Sequence, residues 1–280
     1  MTDILETLAQ LSVLVFVISS MLSMGLSLTA KQIIEPLKDT RLVILALVAN
    51  FVIVPIAAYA ITLVFTLDES IEVGLILISM AAGAPFLPKL VQVAKGNTAF
   101  SVGLMVLLMM VTIVFLPIVL PLVLQGVEVN PLDIAQSLVV MMLIPLAIGL
   151  FIKARYEDSA EKIQPTFASA SNLAILVLMV LGLVLNFDAM IALVGSFGIL
   201  AAVLLAVVAV ATGYLLGGSD RSTKSVMALG TGQRNLAAAL VVAGQNFDAD
   251  VVTYILVFGV IGFVILFPVA GEFGKRSQAT

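Results

Sequence analysis

Two cationic side chains, Lys89 and Arg234, stand inside long apolar stretches of a chain that contains no histidine and no cysteine. Arg234 belongs to Gly230-Thr231-Gly232-Gln233-Arg234-Asn235, flanked by Ser225–Leu229 and by the aliphatic and alanine run Leu236–Ala243. Lys89 closes a second stretch of the same kind, Gly83-Ala84-Pro85-Phe86-Leu87-Pro88-Lys89. A charge at the centre of a spanning helix costs about 2.5–3.5 kcal/mol on insertion scales, so such residues are rare and usually mark function. Glycine and proline weaken or end a helix, and backbone freed at membrane depth is tolerated only where it is buried in protein or lines a cavity. Gly83, Pro85 and Pro88 in the first stretch, and Gly230 and Gly232 in the second, are therefore the expected helix breaks. Two interrupted hydrophobic segments in corresponding halves of a chain point to the binding site of a transporter. The chemistry they suit is capture of an anion: an arginine forks two donors onto a carboxylate, and amides at half-helix N-termini add partial positive charge. For Lys89 a plainer reading stands beside this one. It lies six residues before Lys95, about 9 Å by helical rise, and is placed to snorkel.

The elements that carry these residues follow from composition. Of 280 residues, 62% are hydrophobic and 11% charged, with a mean hydropathy of +1.24, whereas soluble domains carry about 25% charged residues. This is the composition of an integral membrane protein. The lack of cysteine excludes disulfides and thiolate chemistry, and the lack of histidine removes the commonest metal ligand and general base. No metal site or cofactor is expected, and no nucleic-acid partner. An intramembrane enzyme is excluded because no carboxylate lies deep in an apolar stretch to do acid–base work.

A spanning helix needs about 20 mostly apolar residues, which predicts nine spans, near 6–28, 41–66, 71–94, 98–124, 133–153, 168–187, 194–217, 223–246 and 251–273. The first run lacks the basic flank and cleavage site of a signal peptide and is expected to be a retained span. Basic residues test the count: Lys31, Lys38, Arg41, Lys95, Lys153, Arg155, Lys162, Arg221, Lys224, Lys275 and Arg276 all fall in alternate connections. The positive-inside rule then places the N-terminus outside and the C-terminus in the cytoplasm of a multi-pass cell-membrane protein. The remaining two of the 13 basic residues are Lys89 and Arg234. The chain reads as one transporter domain over 1–280. Helices one to four (about 6–124) match six to nine (about 168–273) with opposite starting sides, as inverted repeats, and the helix at about 133–153 is unmatched.

Further motifs carry a resemblance. Met24-Gly25-Leu26-Ser27-Leu28-Thr29, Arg41-Leu42-Val43, Asn50-Phe51-Val52-Ile53-Val54-Pro55, Ala94-Lys95-Gly96-Asn97 with Ala99-Phe100-Ser101-Val102, and Gly232-Gln233-Arg234-Asn235 with Leu236-Ala237-Ala238-Ala239 resemble, in order, segments of the bile acid:sodium symporter family. The resemblance implies a core domain in which two broken helices cross, a smaller panel domain, and alternating access between them. It also exposes departures. Members that bind sodium carry a glutamate at the position of Gly230 and a glutamine at that of Arg234. A Ser-Asn pair falls on Leu87 and Pro88, a threonine on Met105, and a glutamine on Asn50. Sodium is a hard cation that wants oxygen ligands, and here most of those oxygens are replaced while two fixed cations have arrived.

The expected function is secondary transport of a small organic anion, carboxylate-like, by alternating access without the usual sodium sites. Lys89 and Arg234 would stand as built-in replacements for the two ions, leaving uniport, exchange or proton coupling through Lys89. Asn50, Ser101, Thr231, Gln233 and Asn235 are the expected neutral contacts, with Asn172 on the panel side. Each alone would equally serve as an interhelical hydrogen bond. The alternative is a sodium-coupled symporter of bile-acid-like or other organic anions.

Overall fold

A computed structural model describes residues 2–34, 38–124, 130–185, 191, 193 and 195–278. Every regular element among them is a helix. In chain order they are α1 (Thr2–Ser27), the short α2 (Ala30–Ile34), α3 (Thr40–Val64), α4 (Glu69–Met80), α5 (Leu87–Val93), α6 (Thr98–Val123), α7 (Pro131–Arg155), α8 (Glu157–Leu185), α9 (Gly198–Leu216), α10 (Arg221–Gly232), α11 (Leu236–Asn246) and α12 (Ala249–Gln278). Seven helical stretches among the described residues are long and apolar enough to cross a membrane. Large aliphatic side chains such as Leu63 (71%), Val64 (76%), Leu215 (77%) and Val264 (68%) are exposed on their outer faces. That much apolar surface belongs against lipid.

Side chains set the helix starts. Asp39, Asn97, Asn130 and Asp220 each accept a hydrogen bond from a backbone N–H in the following turn, at 3.1, 2.9, 3.0 and 2.8 Å, which satisfies an otherwise orphaned donor. Two long helices widen into a π turn, Ala49–Ile53 in α3 and Val139–Leu143 in α7. Each turn ends two residues before a proline, Pro55 or Pro145. Proline supplies no N–H and its ring presses on the carbonyl four residues back, and the wider turn relieves both.

Two features set the packing. α1 lies along α7 and α8, and at the α1–α7 crossing Gly25 and Gly149 meet with no room for a Cβ: one built on Gly25 falls 2.4 Å from the Leu146 carbonyl oxygen. α9 and α10 approach as closely, a Cβ on Gly213 falling 2.2 Å from the Met227 oxygen. The second is central. In the stretch Arg221–Asn246, 94% of the most apolar window is buried, against 33–50% in the other six spanning stretches. It is walled off from lipid by its neighbours, and it carries Arg234.

Candidate functional site

Two chain breaks build the site. In the first, α4 ends at Met80, Ala81–Ala84 run without helix, and α5 begins at Leu87. Gly83 takes φ +80°, and a Cβ there would fall 2.2 Å from the Met109 nitrogen of α6, so the turn requires glycine on both counts. In the second, α10 ends at Gly232, Gln233 is extended, and α11 begins at Leu236. Pro85 lies within the first break and Pro88 in the first turn of α5. The expectation that Gly230 and Gly232 interrupt the second helix is corrected: α10 runs through both, and its break spans Gln233–Asn235. Gly230 instead admits Leu87 and Leu104, whose methyls would stand 3.1 and 3.2 Å from a Cβ.

Asn235 joins the breaks. Its N–H donates to Ala81 O at 2.8 Å, and its Nδ2 to Ala82 O and Gly83 O at 3.2 and 3.0 Å. Its Oδ1 accepts from Ala238 N at 3.1 Å, capping α11.

Arg234 is 4% exposed. Its Nε donates to Ile78 O at 3.2 Å, Nη1 to Asn50 Oδ1 at 2.8 Å and Thr231 O at 3.1 Å, and Nη2 to Ser79 O. Four of five guanidinium donors are thus held by the protein. Three of the four acceptors are carbonyls in the last turns of α4 and α10, ends where carbonyls lack intrahelical partners and partial negative charge gathers. This corrects the expectation that Arg234 stands uncompensated and forks onto a carboxylate: the fork closes on the protein's own oxygens.

Asn50 is fully buried on the π turn of α3, and its Nδ2 donates to Ala46 O and Thr231 Oγ1 at 2.9 and 3.2 Å. Ser101 is also buried and bonds Thr98 O of its own helix at 2.7 Å. Asn50, Ser101, Thr231 and Asn235 line no part of the cavity described next; Asn50, Thr231 and Asn235 tie the crossing segments together, while Ser101 bonds within its own helix.

A cavity of about 620 Å³ lies between α1 and α8 on one side and the two breaks, α5 and α6 on the other. Lys89, Gln233, Asn172 and an edge of Arg234 line it. Lys89 is exposed within it, with Nζ 5.3 Å from the centroid of the Phe86 ring. Gln233 is 6% exposed, and its Oε1 is buried without a hydrogen-bond partner. No Asp or Glu is among the described residues that line it. A cavity with cations on its wall and no carboxylate favours an anion.

Ser20, Ser23, Ser27 and Gln164 also line the cavity and escaped the sequence reading. The serines repeat at helical spacing on α1, a polar stripe that periodicity could have shown. Ser23 accepts from Gln164 Nε2 at 2.9 Å, tying α1 to α8. Away from the cavity, Ser137 Oγ of α7 donates to Gln245 Oε1 of α11, whose Nε2 lies 3.4 Å from Met141 Sδ.

The sodium bile acid symporter family profile matches residues 14–216. This chain belongs to that family. Among curated relatives it is 28% identical over 147 residues to the uncharacterized sodium-dependent transporter YocS of Bacillus subtilis (strain 168), covering 51% of this chain and 44% of that one. It is 22% identical over 232 residues to the probable sodium/metabolite cotransporter BASS1, chloroplastic, of Arabidopsis thaliana, covering 81% and 58%. It is 28% identical over 144 residues to the probable sodium/metabolite cotransporter BASS2, chloroplastic, of Oryza sativa subsp. japonica, covering 51% and 34%. The matched stretches thus span roughly a third to three fifths of these relatives' own lengths. The chain is thus a multi-pass membrane protein of that family.

Proposed function

We propose that this transporter carries a small organic carboxylate by alternating access, with Arg234 standing as a tethered cation where a coupling sodium ion would otherwise be held. The observation that carries the proposal is the ring of oxygens from Ile78, Ser79, Thr231 and Asn50 around one guanidinium. Broken-helix C-termini and unwound carbonyls are the ligands transporters use for sodium, and here a covalently attached cation occupies them. A bound sodium ion would have to displace it against close like charge. A fixed cation cannot travel with the cargo, so net transport through this site is uniport, exchange or proton-linked.

The cargo's negative charge is set against Lys89, which has no protein oxygen as partner among the described residues and faces the cavity. Gln233 and Asn172 supply neutral contacts. The moving parts in this reading are a panel of α1, α7 and α8 and a core of the remaining helices, arranged as nine spans in two inverted repeats with one unmatched helix. Ser27, Gln92 and Gln164 of the cavity wall lie close in sequence to Lys31, Lys95 and Lys162, which supports access from the cytoplasmic side of a cell membrane, N-terminus outside. The Ser137–Gln245 contact, near the acidic connections, then closes the outer side.

The test is a thermal-shift and uptake screen of purified, reconstituted protein against small carboxylates, with sodium or with potassium. Carboxylate-dependent stabilisation indifferent to sodium is the expected result. Sodium-dependent uptake would overturn the tethered-cation reading and favour a sodium-coupled symporter, the reading suggested by the relatives' names.

A further inference from the structure

A second groove, of about 380 Å³, shares no residue with the transport cavity. It runs between α9 and α12. Its floor is aliphatic, Val207, Val210 and Ala211 facing Ile265 and Val269. From Val207 to Tyr214 the helical rise is about 10 Å, the reach of a good part of one acyl chain. One end is closed by Tyr214 and Phe273, near-parallel rings with centroids 5.7 Å apart and planes at 10°. Lys224 Nζ stands 5.1 Å above the Tyr214 ring, and Arg276 lines the same end.

These groups converge because Tyr214 is in the last turn of α9, Lys224 in the first turn of α10, and Arg276 in the last turn of α12. Glu272 pairs with Arg276 at 2.8 Å. Against that one carboxylate stand Lys224 and Arg276, an excess of cations at this end of the groove. An apolar channel open to lipid and ending in tyrosine and cations has the profile of a lipid with a negative headgroup: the chain fills the channel, the ring sits at headgroup depth, and the cations meet a phosphodiester. A zwitterionic headgroup brings its own cation to the same place and is disfavoured.

We propose that the α9–α12 groove is a binding site for one anionic phospholipid, its acyl chain along Val207, Val210 and Val269 and its phosphate between Lys224 and Arg276. The site is independent of the cargo proposal. Native mass spectrometry of the purified protein, titrated with phosphatidylglycerol or phosphatidylcholine of matched chains, tests it. One phosphatidylglycerol adduct is expected at several-fold lower concentration than the phosphatidylcholine adduct. The K224Q/R276Q double variant, whose changes lie at the helix ends, should lose that preference, and Ala211→Trp, which fills the exposed floor, should lose the adduct. Inorganic phosphate in excess should not displace the lipid. Equal binding of the two lipids, an unchanged preference in the double variant, displacement by phosphate, or a dimer in place of the lipid adduct would each overturn the proposal.

Discussion

Asn50 and Arg234, 184 positions apart, meet at 2.8 Å between Oδ1 and Nη1, deep in the protein where Asn50 is fully buried and Arg234 shows only an edge to the cavity. Of the four oxygens around the guanidinium, Asn50 Oδ1 is the one from a side chain, and it stands on a helix that is not itself broken. Substituting Asn50→Leu leaves a guanidinium donor and Thr231 Oγ1 short of partners. Losing a buried bond to a charged group costs about 1.5–3 kcal/mol, so the detergent-solubilised variant should melt several degrees below the parent, as read by intrinsic fluorescence.

Arg234→Gln removes the tethered charge and keeps a polar side chain. The carbonyls of Ile78, Ser79 and Thr231 then face an open space suited to a hard cation. Sodium at roughly ten times its Kd should stabilise this variant by about 1.4 kcal/mol and leave the parent unmoved. Equal responses to sodium and potassium in both proteins would dismiss the idea.

Lys89→Met should lower carboxylate uptake at least tenfold while changing stability by no more than about 0.5 kcal/mol, because the side chain is exposed and bonded to no protein oxygen. A matching loss of melting temperature would instead mark Lys89 as structural.

The chain has no cysteine, so a single introduced thiol reports without background. Asn172→Cys, on the exposed cavity wall, should react with a membrane-impermeant maleimide from the side bearing the basic connections and be shielded by a bound carboxylate. Replacing Ser137 by alanine in that background removes the Ser137–Gln245 hydrogen bond between α7 and α11 and should raise labelling from the opposite side.

Gly213→Leu should prevent stable expression. Its Cβ would fall 2.2 Å from the Met227 oxygen, and a backbone atom on a tightly packed neighbour cannot yield. Overpacking costs about 1–3 kcal/mol even where side chains can adjust. Folded protein in normal yield would show that α9 and α10 can separate.

Apolar run lengths made several of the helices legible. The expected stretches 41–66, 98–124 and 251–273 correspond to helices Thr40–Val64, Thr98–Val123 and Ala249–Gln278. The two breaks were also visible, because glycine, proline and charge in an apolar run leave few other meanings. What sequence could not give was orientation. Arg234 reads as an unpaired charge when carboxylates alone are counted, since carbonyl oxygens at helix ends leave no trace in residue identity. The second break lies beyond its glycines because Asn235, an N-cap, fixes where α11 starts, while Gly230 serves packing against Leu87 and Leu104. Gln164 was missed because Glu157, Asp158, Glu161 and Lys162 disguise the first turns of α8 as a connection. The end of the expected stretch 168–187 and the start of 194–217 lie in part outside the described residues.

Asn235 bridges one interruption of the chain to the other through its backbone N–H and its carboxamide. Neither interruption can loosen without breaking bonds that belong to both. In the alternating access proposed above, a swing of this region would carry both together as a single block, moving against the panel of α1, α7 and α8.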